Sequence, residues 1–325
     1  MLWGLASMCV IAARAQGVAE VAEMDVPAEP AAASSALALA YLWISAAVLG
    51  TLVALRVGGL RPLSIGASRV RWPLAPAPSL VLLAVLMVAG AAAAAAVMQA
   101  IGTDGAGGLR ERAVASLANY GAQLLLMAGI WWALEETLRR RAVDGTAVPS
   151  PPADGDTPAA RMPRWRASLA GAAAMAVAWP LAQAAGVLAG TVQSAIGGTE
   201  MPDTAHRTLE ALGQSSDALW MGVTALVAVI LAPIVEEILY RGALQQAMRG
   251  LGASRAVALW IASALFALAH WGSLVGGAEA GALAMLMVLG LTFGWCYERT
   301  GSLWAPVAAH ALFNAANLTI ALVQR

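Results

Sequence analysis

The sequence predicts an all-α, polytopic membrane helix bundle with about eight transmembrane helices, and three observations carry that expectation. Hydrophobic residues make up 60% of the 325 and charged residues only 12%, which is not the balance of a soluble domain. The apolar runs are long enough to cross a hydrocarbon core of roughly 30 Å as helices. Arginines gather in alternate connections, as they do in a chain that weaves through a bilayer.

Residues 1–34 form an N-terminal segment of two parts. The apolar run 2–13 is too short to span as a helix, and it ends in Ala13-Arg14-Ala15, which has the small-x-small form of a signal-peptide cleavage site but lacks a basic start. A cleaved leader and an interfacial segment both stay open. Residues 17–34, with Glu20, Glu23, Asp25, Glu29, Pro27 and Pro30, read as a solvated acidic stretch. The first transmembrane group occupies 35–138, with spans expected at 36–55, 79–101 and 115–134. A linker follows at 139–166, rich in proline, glycine and aspartate around Pro149, Pro151, Pro152, Asp154 and Gly155. The second group, 167–325, holds spans at 167–191, 217–235, 256–271, 280–297 and 303–323.

Arg56, Arg61, Arg69 and Arg71 follow the first span, and Arg139, Arg140, Arg141, Arg161, Arg164 and Arg166 follow the third, so these connections are expected in the cytoplasm. The intervening connections carry Arg110, Arg112 and Arg207 against Asp104, Glu111, Glu200, Asp203 and Glu210, which places them and both termini outside. Trp43, Trp72, Trp131, Trp220, Trp271 and Trp304 fall near span ends as interfacial anchors. The formal net charge is zero, and the arginines form no basic face, so nucleic acid is not an expected partner. Cys9 and Cys296 lie too far apart in sequence to suggest a disulfide framework or a thiolate metal site. Lysine is absent and alanine abundant, as in a GC-rich genome, and a bacterial inner membrane is the expected location. The oligomeric state leaves no trace in the sequence.

The residues with chemistry cluster late in the chain. Glu236, Glu237 and Arg241 follow an apolar run whose only turn signal is Pro233, a residue that frees a backbone carbonyl in a membrane helix. Glu237 and Arg241 are one helical turn apart and can pair, whereas Glu236 points about 100° away and stays available as a base. Spacing alone proves little, because Glu135-Glu136-Thr137-Leu138-Arg139-Arg140 repeats it at the end of the third span, beside an arginine cluster and with no downstream histidine partner. His270 lies roughly 22 Å along a helix from Arg255, with Phe266 one turn before it on the same face. His310 and Asn314 are again one turn apart and should face the bundle interior, since lipid would leave both unsatisfied. Together these groups provide a carboxylate base, a histidine to hold water, and a histidine and amide able to stabilise an oxyanion. Those are the parts for attack of water on an amide carbonyl.

Two glutamates, three residues and an arginine, then Phe266 and His270, then His310 and Asn314, resemble the motifs of the CPBP intramembrane proteases. That family includes the CAAX prenyl endopeptidases and the bacterial Abi and bacteriocin-processing proteins. The likeness covers about 217–317, including Tyr297-Glu298-Arg299-Thr300-Gly301-Ser302-Leu303-Trp304-Ala305-Pro306 before the last histidine. It implies a CAAX-type endopeptidase that cuts a membrane-associated peptide or protein within the bilayer. By the resemblance Glu236 with His270 would activate water, His310 and Asn314 would stabilise the oxyanion, and Glu237, Arg241 and Phe266 would support the site or bind substrate. A metal-free glutamate mechanism is favoured, with zinc held by Glu236, His270 and His310 as the alternative. The catalytic cavity is expected to open toward the cytoplasm. A non-proteolytic scaffold or immunity protein that binds a partner in the same cavity, and a transporter or proton relay, are the competing classes.

Overall fold

The computed structural model describes residues 72–102, 107–143, 162–198 and 204–323, with positions 43, 45, 46, 70 and 202. The N-terminal segment, the first span apart from three positions, the arginines between 56 and 71, Cys9, and residues 144–161 of the linker lie outside the described residues. Among the described residues there is no strand, only an isolated antiparallel bridge between His206 and Leu274. Seven helices among the described residues are long and apolar enough to cross a membrane, which bears out the helical bundle.

We number the helices α1 Pro76–Ala100, α2 Leu109–Val143, α3 Arg164–Gly197, α4 Arg207–Gln214, α5 Ala218–Gly250, α6 Arg255–Ala269, α7 Glu279–Thr300 and α8 Trp304–Val323. Pro76 opens α1, where its missing N–H costs no bond. The side chains of His206, Asp217 and Ser254 cap α4, α5 and α6 by accepting backbone N–H bonds. Gly301 ends α7 at φ 66°, a left-handed position that glycine fills without steric cost.

α7 packs along α3 and α6, α8 along α3, and α1 along α2. The approach of α3 to α8 depends on Gly171, since a Cβ there would lie 1.9 Å from the Ala305 carbonyl oxygen. In lipid, such close backbone packing replaces the hydrophobic drive that holds soluble helices together. The core between these helices contains Met175, Trp179, Val235, Phe266, Leu289, Phe293 and Phe313.

α5 corrects the expectation of a span ending at 235. It continues to Gly250, so the two glutamates sit in mid-helix rather than at a helix end. Two π-helical stretches interrupt it, Val227–Leu231 and Ile238–Leu244, on either side of Ala232–Glu237. The first has a readable cause. Ala232 N–H bonds back to the Val227 carbonyl in π register, and the next residue, Pro233, has no N–H to give Ala228. The Asn314 side chain donates to that freed carbonyl at 2.7 Å, tying α8 to α5.

Candidate active site

Glu236 in α5, His270 at the end of α6 and His310 in α8 converge. The Nε2 atoms of His270 and His310 lie 3.9 and 3.8 Å from Glu236 Oε2. These gaps exceed a hydrogen bond, and that buried oxygen has no hydrogen-bond partner. Glu236 Oε1 accepts from the Tyr120 hydroxyl of α2 at 2.5 Å. The carboxylate is thus anchored by one oxygen and presents the other.

Both imidazoles have their orientation fixed from behind. His270 Nδ1 lies 2.8 Å from the Phe266 carbonyl oxygen, which can only accept, so Nδ1 carries the proton. His310 Nδ1 in the same way donates to Glu237 Oε1 at 3.0 Å. In the neutral form of each ring the Nε2 lone pair then faces Glu236. Three acceptor atoms directed at one point leave a place for a group that brings protons or positive charge.

Glu237 and Arg241 form the ion pair their spacing allows, Nε to Oε2 at 3.1 Å, with both side chains essentially excluded from solvent. Arg241 also donates to the Gly290 carbonyl at 3.1 Å and lies over Phe266, 4.5 Å from the ring centroid. His310 stacks on Phe293 with centroids 4.8 Å apart. Phe266 touches the His270, His310 and Tyr240 rings edge-on. The look-alike pair in α2, Glu136 and Arg140, bonds at 2.8 Å on an exposed surface and reaches none of these groups.

Sequence reasoning missed Tyr120 and His206. A signal was present for the first, since Asn119, Tyr120 and Gln123 place three polar side chains within one turn of an apolar span. His206 sits on the segment covering the site, where its Nδ1 accepts from Thr208 N–H at 3.1 Å. Burial lowers its pKa to about 4, and the neighbouring His270 pushes in the same direction.

A cavity of about 390 Å³ connects the groups, lined by Tyr120, His206, Glu236, His270, His310 and Asn314 within a largely apolar wall. The Asn314 amide borders this space while giving one of its N–H bonds to Ala228. The cavity runs from Glu236 to Arg112, Thr204 and Ala321, at the end of the bundle where Gln193 bonds Glu279 and Ala205 bonds Val275. The opposite end is closed by Arg241, Gln245 and Glu298, all buried. That closed end is also the arginine-rich one. The cavity therefore leaves the bundle at the end opposite these arginines.

A buried carboxylate and two oriented imidazoles thus border an enclosed cavity inside a bundle of helices long and apolar enough to cross a membrane. Residues 218–316 match the family described as Rce1-like, type II CAAX prenyl endopeptidase. The match spans all the motif residues, bears out the resemblance they carried, and supports an intramembrane endopeptidase acting on a membrane-associated substrate. No curated protein and no solved structure matches the chain.

Proposed function

We propose that the protein hydrolyses a peptide bond of a membrane-associated polypeptide with a water molecule activated by Glu236. The unpartnered Oε2 of Glu236, facing two imidazole nitrogens across gaps wider than a hydrogen bond, is the observation that supports this reading. Water seated there gives one proton to Glu236 while His270 Nε2 accepts its other hydrogen, which aims an oxygen lone pair into the cavity. The attacked carbonyl oxygen develops charge toward His310 and Asn314. The Glu237 carboxylate accepts from His310 Nδ1 and holds that ring toward the cavity. Glu236 then passes its proton to the leaving amine. Glu237, Arg241 and Phe266 hold the histidines and do not touch the reacting atoms.

The same donor atoms suit zinc in kind, being one carboxylate and two imidazoles with oriented Nδ1 atoms. Their spacing is wider than the roughly 3.3 Å that separates ligands on a tetrahedral zinc ion, and no group of three among the described residues is placed to hold a metal. A bound zinc would take Glu236, His270 and His310 as ligands and supply a Lewis acid. We place the protein in a bacterial inner membrane on the strength of its lysine-free, alanine-rich composition.

The test compares membrane peptidomes of cells carrying the wild type and Glu236→Gln at equal expression. The substitution should remove the cleavage products, a loss of at least about 100-fold, and undiminished products would refute Glu236 as the base. In isolated wild-type membranes the products should persist under a zinc chelator. Their disappearance there would instead favour the metal reading.

A further inference from the structure

The arginines divide sharply between the two ends of the bundle. Among the described residues Arg139, Arg140, Arg141, Arg164, Arg166, Arg249, Arg255 and Arg299 lie at one end, and only Arg110, Arg112 and Arg207 at the other. Contacts between helices fix which ends go together. Met162 N–H bonds the Thr300 carbonyl, Arg164 lies over Trp304, and Gly250 meets Pro76, so the helix ends carrying the arginine-rich group share one face. At the other face Arg110 lies over Trp220 and Arg207 donates to the Leu274 carbonyl. Arginine-rich connections stay in the cytoplasm because moving them across the membrane is disfavoured.

The cavity opens on the arginine-poor face, past Arg112, Thr204, His206 and Leu274. The buried Arg112 Nε has no hydrogen-bond partner, so the opening presents an unpaired donor next to an apolar interior. Toward the arginine-rich face Gln245 donates to Glu298 at 3.1 Å, and a Cβ on Gly242 would collide with Trp72, so these described residues pack closely on that side.

We propose that the cavity faces the non-cytoplasmic side of the membrane and receives an exported, membrane-anchored polypeptide through an apolar segment that enters past Arg112 and His206. The sidedness stands on arginine distribution and cavity direction alone, whereas the choice of a polypeptide rests on the proteolytic reading above.

Single cysteines test the orientation in full-length protein from which Cys9 and Cys296 have been replaced by alanine. Ser216→Cys and Thr204→Cys mark the open face, and the exposed Leu251→Cys marks the arginine-rich face. A membrane-impermeant maleimide added to intact spheroplasts should label the first two and spare the third, and inside-out vesicles should reverse the pattern. The opposite pattern, or equal labelling of both faces, overturns the proposal. Alkaline phosphatase fused after Arg325 provides a second measurement that needs no cysteine variant, and it should be active because α8 ends on the open face. An inactive phosphatase fusion, with a green fluorescent protein fusion that glows instead, overturns it as well. For the substrate, new N-termini lost from Glu236→Gln cells should map to exported parts of membrane proteins, and cytoplasmic positions would overturn that half. Absence of any lost terminus would count against proteolysis while the labelling still decides the orientation.

Discussion

Each carboxylate oxygen of Glu236 has a separate task. Oε1 is occupied by the Tyr120 hydroxyl, so Oε2 alone faces the histidines, and the residue cannot rotate without losing a bond. A hydrogen bond to a charged group is worth about 1.5–3 kcal/mol. Tyr120→Phe keeps the ring and removes the anchor, so kcat should fall roughly ten- to a hundredfold with KM nearly unchanged. A role in packing alone would leave kcat intact, and steady-state kinetics on a fluorogenic form of the identified substrate separates the two. Tyr120 comes from a helix 116 positions away in sequence, outside the span of the family match, and motif spacing has no access to such a partner. The residues that share an α-helical turn were easier to place. His310 with Asn314, and Phe266 with His270, were legible because one helical period fixes which side chains share a face.

At the scale of the helix, α2 and α5 carry the same two-acids-then-arginine pattern in opposite surroundings. Arg241 is sealed between Phe266 and Phe293 with the Glu237 carboxylate against it, whereas the Arg140 side chain is 75% exposed beside Glu136. Removing one partner of a buried pair leaves an uncompensated charge and costs about 3–5 kcal/mol, whereas an exposed pair is worth about 1 kcal/mol or less. Arg241→Met should therefore lower the detergent-solubilised melting temperature strongly or prevent accumulation, and Arg140→Met should leave both unchanged. Equal effects would show that the α5 pair is as dispensable as the α2 one. Spacing alone could not rank the two copies; the histidines partnering the second did, and the structure adds what other helices bring to each. Sequence reading also underestimated α5. An apolar run followed by two glutamates looks finished, but π turns and the Asn314 bond to Ala228 carry the helix past them, and both devices depend on tertiary contacts.

For the molecule as a whole, hydropathy was enough to find the described spans, because bilayer thickness sets their length independently of how they pack. Which end of the bundle the site opens toward was not legible, since it depends on the depth of His270 relative to Glu236 and on the segment folded over the opening. That segment centres on His206, whose Nδ1 accepts the Thr208 N–H and whose backbone bridges Leu274 across the cavity entrance. Its folded pKa of about 4 lies below the ordinary value near 6.5, so the imidazole is neutral when docked. A depressed pKa on a base means that the docked state is fully favoured above about pH 6.5 and loses that advantage as the pH falls toward 4. The protonated Nδ1 cannot accept from Thr208, and charge must then be held beside Arg112 and His270, which both lower the His206 pKa. Acidification from pH 7 to 4.5 should accordingly raise amide hydrogen exchange in 204–214, after correction for intrinsic rates, and leave α7 protected. His206→Asn keeps a side-chain oxygen to cap α4 but does not titrate, so its exchange should be nearly independent of pH over the same range. If that variant responds to acid as the wild type does, the opening of the segment is controlled by another group.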